Sequence, residues 1–220
     1  MPFMNRPDAI LFDLDGTLVD AQEAIVDSVL DLAEKEGLEI PTRQWLTDRI
    51  GTSPTETWRL MGSSRPEVLS KTFSGLYGQD IQERTILLPG VIKTLEALQQ
   101  ADILLALVTL RLTEDGQQAL DQFDLHPFIQ VVIGRDATPR PKPAPDSLLL
   151  AAQRLGVSSS NTLMVGDTAA DMEASVAAGI GAIGVLGGVG KENTLREAGA
   201  DFILTGGIED ILGLLTLHPS

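Results

Sequence analysis

Residues 8–20 read DAILFDLDGTLVD. The apolar run Ala9-Ile10-Leu11-Phe12 enters Asp13 without a polar break, and Asp15, Gly16 and Thr17 follow at once. A run this short, apolar at successive positions and closed by a carboxylate, predicts a strand over 9–13 covered on both faces. Five further stretches share that character: 103–109 (ILLALVT), 129–133 (IQVVI), 162–166 (TLMVG), 182–186 (AIGVL) and 202–204 (FIL). Between them the spacing predicts helices over 91–100, 115–123, 146–155 and 169–178, the last two stopped by Gly156 and Gly179. Strands alternating with helices predict an α/β fold built on a parallel sheet with right-handed crossovers.

One segment departs from the alternation. Residues 18–87 contain no convincing strand and far exceed what a crossover requires. Amphipathic stretches at 20–36, 42–50, 54–61 and 66–76 predict helices there. The expected organisation is therefore a catalytic core of 1–17 and 88–220 with an inserted helical cap domain over 18–87. The insertion leaves the core just after the first strand, near where open α/β sheets bind ligands, so it is expected to cover a site.

Composition narrows the function. The chain has 220 residues, a net charge of −15 and no cysteine. Disulfides, thiolate metal sites and cysteine nucleophiles are excluded. The acidic balance argues against nucleic acid or an anionic membrane as partner, since both need clustered Lys and Arg. No apolar run is long enough to span a bilayer, and MPFMNRPDA lacks a signal-peptide core, so a cytoplasmic location is expected.

Chemistry-bearing residues gather at the predicted strand ends. Asp13 and Asp15 are close enough to repel unless a cation or a proton intervenes, and magnesium takes oxygen ligands and pairs with phosphate. Gly16 permits a tight backbone whose amides can cradle an anion. Thr109 ends the second strand. Lys142 lies in Arg140-Pro141-Lys142-Pro143-Ala144-Pro145-Asp146, where three prolines stiffen the loop and hold an ammonium in place. Asp146 is expected to cap the next helix, with Arg140 helping to orient the loop. Asp167 and Asp171 follow the strand 162–166, the second in an opening helical turn that favours a negative side chain.

LFDLDGTLVD resembles the first motif of the haloacid dehalogenase-like hydrolases. Thr109 stands at the second motif, KPAPD at the third and GDTAAD, residues 166–171, at the fourth. The resemblance implies a Rossmann-like core and phosphoryl transfer to Asp13 as nucleophile, with Asp15 as general acid/base. It also implies Lys142 and Thr109 on the phosphate, and Mg2+ held by Asp13, the Asp15 carbonyl and Asp167. Asp171 completes the site, through water or as partner of Lys142. Because Asp15 must carry a proton in one step and lack it in the next, the implied pH optimum belongs to coupled groups. One departure stands out: Leu110-Arg111 replaces the polar Asn that commonly follows Thr109. Arg111 either compensates or is solvated.

The expected activity is a phosphatase acting on a small phosphorylated metabolite, phosphoglycolate-like or a sugar phosphate, in a monomer or weak dimer. In the insertion, Arg49, Thr52, Thr55 and Arg59 are candidate substrate contacts, and Trp58 is expected in the cap core or an interface. A phosphosugar mutase is the alternative, but Ala21, Gln22 and Glu23 stand where such a cap supplies a His. Asp15 argues against phosphonate hydrolysis, and the complete set of carboxylates against a non-catalytic binding protein. His126 and His218 read as structural or solvated. Gly187-Gly188-Val189-Gly190 lacks the spacing of a phosphate fingerprint and reads as a flexible turn.

Overall fold

The computed structural model describes residues 6–215. They form two compact units, one of them Ala21–Ile86 and the other the rest of the described chain. The larger unit is built on a six-stranded sheet. Its strands are β1 (Ala9–Phe12), β4 (Leu104–Val108), β5 (Val131–Ile133), β6 (Thr162–Gly166), β7 (Gly181–Val185) and β8 (Phe202–Leu204). Their order is β5-β4-β1-β6-β7-β8 and every pairing is parallel. Two short strands, β2 (Val19–Asp20) and β3 (Ile86–Leu87), pair separately.

Alternation along the strands explains why they are apolar at every position. Ile10, Phe12, Leu105, Leu107, Leu163 and Val165 belong to one core cluster. Their neighbours Leu11, Ala106, Val108 and Met164 belong to a second. Successive side chains point to opposite faces, and helices cover both. The covering helices are α5 (Val91–Gln100), α6 (Thr113–Gln122), α7 (Asp146–Leu155), α8 (Ala169–Ala178), α9 (Glu192–Glu197) and α10 (Asp210–Leu214). Helices α7 and α8 end at Gly156 and Gly179, both left-handed, as the glycine stops predict. From β1 the chain steps to β4 and β5 on one side, then returns to β6 on the other. The carboxyl end of β1 is thus the switch point of the sheet.

The smaller unit consists of α1 (Gln22–Lys35), α2 (Arg43–Thr47), α3 (Pro54–Leu60) and α4 (Pro66–Arg84). Its core joins Val26, Val29 and Leu32 to Leu46, Trp58 and Leu69. Trp58 is fully enclosed and meets Phe73 edge-on at 6.0 Å. The predicted helix over 66–76 is a correction: α4 continues to Arg84. Its last turns are polar, burying only Ile81, and are supported by Gln79–Glu83 and Asp80–Arg84 pairs one turn apart. No described helix is long and apolar enough to cross a membrane.

Candidate active site

Strand ends place the site. Asp13 follows β1, and its N–H donates to the Val165 carbonyl of β6 at 2.9 Å. Thr109 follows β4 and is tied by its N–H to Ile133 of β5, also at 2.9 Å. Lys142 arrives from the loop after β5, and its ammonium has three acceptors. These are Asp13 Oδ1 at 2.7 Å, Val108 O at 2.8 Å and Asp171 Oδ1 at 2.6 Å. All three N–H bonds of the ammonium are therefore used. Its side chain is 2% exposed. Burial alone would push the ammonium down, but Asp13 and Asp171 outweigh it and hold Lys142 well above its ordinary value.

The two possibilities for Asp171 are narrowed by its contacts. One oxygen receives Lys142. The other accepts the Thr168 hydroxyl at 2.6 Å and the Thr168 N–H at 3.1 Å, closing a capping box at the start of α8. Three of its roughly four lone-pair sites are thus taken inside the protein.

Asp167 is fully buried after β6. Its Oδ2 accepts the Val189 N–H at 2.9 Å, and Thr17 Oγ1 lies 3.4 Å from Oδ1. Two glycines make room for this carboxylate. A Cβ on Gly16, whose φ is +82°, would stand 2.2 Å from Asp167 Oδ2, and one on Gly188 would stand 2.0 Å from the same oxygen. Here the structure corrects the reading of 187–190 as a merely flexible turn. The segment is a turn, but its Val189 amide and its bare Gly188 backbone seat Asp167.

Oxygens of Asp13, Asp167 and Asp171 lie within 4.8 Å of one another. Burial, followed by the charges of Asp13 and Asp171, pushes the Asp167 carboxyl well up. Three buried carboxylates face one ammonium, a charge imbalance that a divalent cation with a taste for oxygen would correct. The donor set therefore fits Mg2+.

Asp15 is held from the β4 side. Arg111 grips both its oxygens, Nε to Oδ2 at 2.9 Å and Nη2 to Oδ1 at 2.5 Å. Of the two readings left open for Arg111, the solvated one is excluded: the side chain is 10% exposed. Leu110 costs the loop a polar side chain, and Arg135 braces it instead by donating to the Leu110 carbonyl at 2.9 Å.

The other predicted positions fall as follows. Asp146 does not cap α7, which is a second correction. It lies inside the first turn and pairs with Arg140 at 2.9 and 3.1 Å. The cap position belongs to Pro145, which offers no side-chain acceptor, and the Asp146 carboxylate is taken by the Arg140 guanidinium. Arg49, Thr52, Thr55 and Arg59 belong to the smaller unit. Arg49 stacks on Trp45 at 3.8 Å and Arg59 pairs with Glu56 and Glu67. His126 is half-exposed beside Asp121, and His218 lies outside the described residues. Sequence reasoning missed the Val108 carbonyl on Lys142, Thr168 on Asp171, the Val189 amide on Asp167, and Arg135. The available signal was strand adjacency: a glycine-rich turn after β7 emerges beside the loop after β6.

A family model described as haloacid dehalogenase-like hydrolase matches residues 10–185. A phosphoglycolate phosphatase of Escherichia coli strain K12 is 32% identical over 237 residues, spanning 96% of this chain and 93% of that protein. A solved hydrolase from Pseudomonas syringae is similar with a TM-score of 0.83 at 26% identity, over 94% of this chain and 96% of its own. A Thermotoga maritima structure provisionally described as a β-phosphoglucomutase reaches a TM-score of 0.72 at 26% identity, over 94% and 97% of the two chains.

Proposed function

Because the chain belongs to the haloacid dehalogenase-like hydrolases, we propose that it is a Mg2+-dependent phosphatase hydrolysing a small organic phosphate monoester through an aspartyl phosphate on Asp13. The observation that carries the reading is the buried Asp13–Lys142–Asp171 chain beside Asp167, at the switch point of the sheet. A carboxylate and an ammonium fixed at a strand end are what in-line phosphoryl transfer to an enzyme nucleophile requires.

In the first step an Asp13 oxygen attacks phosphorus. The bond to the ester oxygen breaks, and Asp15 delivers a proton to the departing alkoxide. In the second, Asp15 takes a proton from water and the water oxygen attacks phosphorus. The Asp13–phosphorus bond breaks, inorganic phosphate leaves, and Asp15 is left protonated for the next cycle. Thr109 and Lys142 bind the phosphoryl oxygens, Lys142 with the N–H that Asp13 Oδ1 gives up as it attacks. The expected Gly16 cradle is a correction, since the Gly16 N–H donates to the Val19 carbonyl at 2.7 Å. Asp13, Asp167 and the Asp15 carbonyl would hold Mg2+, which neutralises charge on the phosphoryl group and lets it approach an anionic nucleophile. Asp171 orients Lys142.

Residues Ala21–Ile86 act as the cap that selects the ester, with Arg49, Thr52 and Arg59 as candidate contacts. The 32% identical phosphoglycolate phosphatase favours a short carboxylate-bearing ester or a sugar phosphate. It also favours hydrolysis over the mutase alternative, since no His occupies 21–23. A cytoplasmic monomer or weak dimer acting on a free metabolite fits this role.

The test is inorganic phosphate release from 2-phosphoglycolate and a panel of sugar phosphates. Release with Mg2+ that falls to background in chelator and returns on adding the metal is the expected result. Release indifferent to chelator, or isomerised sugar phosphate without release, overturns it.

A second expectation isolates the Asp167 seat. Gly188→Ala drives a methyl into Asp167 Oδ2, so the Mg2+ concentration for half-maximal release rises about 10–100-fold, as for other groups that orient metal ligands. Gly187→Ala, whose added Cβ meets nothing within 4 Å, is the control and leaves the titration unchanged.

A further inference from the structure

Resting on the phosphatase reading, we infer that Arg111 is the positioning residue of the reaction, holding the Asp15 carboxylate in the plane from which it serves leaving group and water. The guanidinium meets both carboxylate oxygens, and a fork of this kind fixes the plane of the carboxylate as well as its place. A carboxylate has about four lone-pair sites and the fork takes two. The remaining two are open to a proton carried to or from the reacting oxygen, so Arg111 need not let go during the cycle.

The enclosure sets this pair apart from surface ion pairs. Arg111 and Asp15 are 10% and 18% exposed, whereas the Arg59–Glu56 pair is 54% and 41% exposed. Arg111 is also fixed from behind. Its N–H donates to Thr109 Oγ1 at 3.1 Å, and its carbonyl accepts the Arg135 N–H at 2.9 Å. The next residues are fastened to the end of β5: Asp136 Oδ1 accepts the Thr113 N–H at 2.8 Å and its hydroxyl at 2.9 Å. Gly134 lets the two loops touch, since a Cβ there would lie 2.2 Å from the Thr113 nitrogen. Three consecutive residues after β5 thus buttress the loop that carries Arg111. Misplacement of a reacting group by about 1 Å costs on the order of 100-fold, so such buttressing has a kinetic purpose.

The experiment is a double-mutant cycle of Arg111→Met and Asp15→Asn, with kcat/KM measured on an alkyl phosphate and on 4-nitrophenyl phosphate. Arg111→Met is expected to lower the alkyl value about 100-fold and the nitrophenyl value less than about threefold, because a good leaving group needs little protonation. Arg111→Lys, keeping one donor, recovers part of the loss. In the Asp15→Asn background Arg111→Met adds less than about threefold. Equal losses on both esters would make Arg111 merely structural and overturn the inference. So would a full loss in the Asp15→Asn background accompanied by weaker inhibition by inorganic phosphate, which would place Arg111 on the phosphate instead. Should Arg111→Met fail to fold, Arg111→Lys carries the same comparison. A wild type active on esters with additive variants overturns this inference alone; a wild type silent on every ester overturns the phosphatase reading and this inference with it.

Discussion

Asp13→Asn is expected to lower Mg2+-dependent phosphate release by about 10,000-fold or more, while the protein remains folded. The amide keeps the volume of the carboxylate and an oxygen that can accept the Lys142 ammonium, so the core around β1 is not opened. What it lacks is a nucleophilic anion. The same substitution has a second, thermodynamic signature. Burial, opposed by Lys142 and assisted by Asp171 and Asp15, pushes the Asp13 carboxyl from 3.8 up to about 7. Its folded value lies above its unfolded one, so between them the folded protein binds more protons. The associated stability is present below about pH 4 and is lost as pH rises through about 7. An amide does not titrate. In chelator, the variant is therefore expected to melt above the wild type at pH 8, and the margin to shrink toward pH 5. Mg2+ should close the gap at pH 8 by stabilising the folded wild type. Residual turnover above about 1% of wild type would exclude Asp13 as nucleophile.

The parts of this molecule that were legible in its sequence are those encoded locally. The run AILF, the run TLMVG and the glycine-stopped helices α7 and α8 carry their own periodicity and their own ends, and they occupy the predicted positions. The end of α4 does not, because Gly75, Gly78 and a polar tail give neither an apolar stripe nor a clear stop. Helices α9 and α10 have too few turns to show a period. Within the site, the carboxylates and Lys142 were visible because each follows an apolar run or sits in a proline cage. Their supports were less so. Arg111 was visible as a cation beside Thr109 but not as the partner of Asp15 across 96 residues, and the Val189 amide meets Asp167 across 22. Contacts of that range follow from the strand order, which apolar spacing alone does not specify. Leu110 illustrates the point: read in line it is a missing polar group, yet in space the loop is held through its backbone by Arg135.

Lys142→Met is expected to harm both activity and stability, and the two losses separate with pH. Phosphate release should fall about 1,000-fold, since a preorganised cation facing the transferring group is lost. Removing one partner from a buried charge cluster costs about 3–5 kcal/mol, because the remaining charges stay desolvated and unpaired. Asp13 and Asp171 would then face each other without the ammonium now within 2.7 Å of both. They can relieve that repulsion only by taking up protons or a cation. The folded variant therefore holds more protons than its unfolded chain, so its deficit relative to wild type should widen from pH 5 to pH 8 in chelator denaturant titrations. Mg2+ should recover part of it. Asp171→Asn in the same chain removes one of the opposed charges while an amide oxygen still accepts the Thr168 donors. The double variant is thus expected to regain stability at pH 8 without regaining turnover. A Lys142→Met protein as stable as wild type at pH 8 would mean that the ammonium does not offset the buried carboxylates, and the electrostatic account of the site would fall with it.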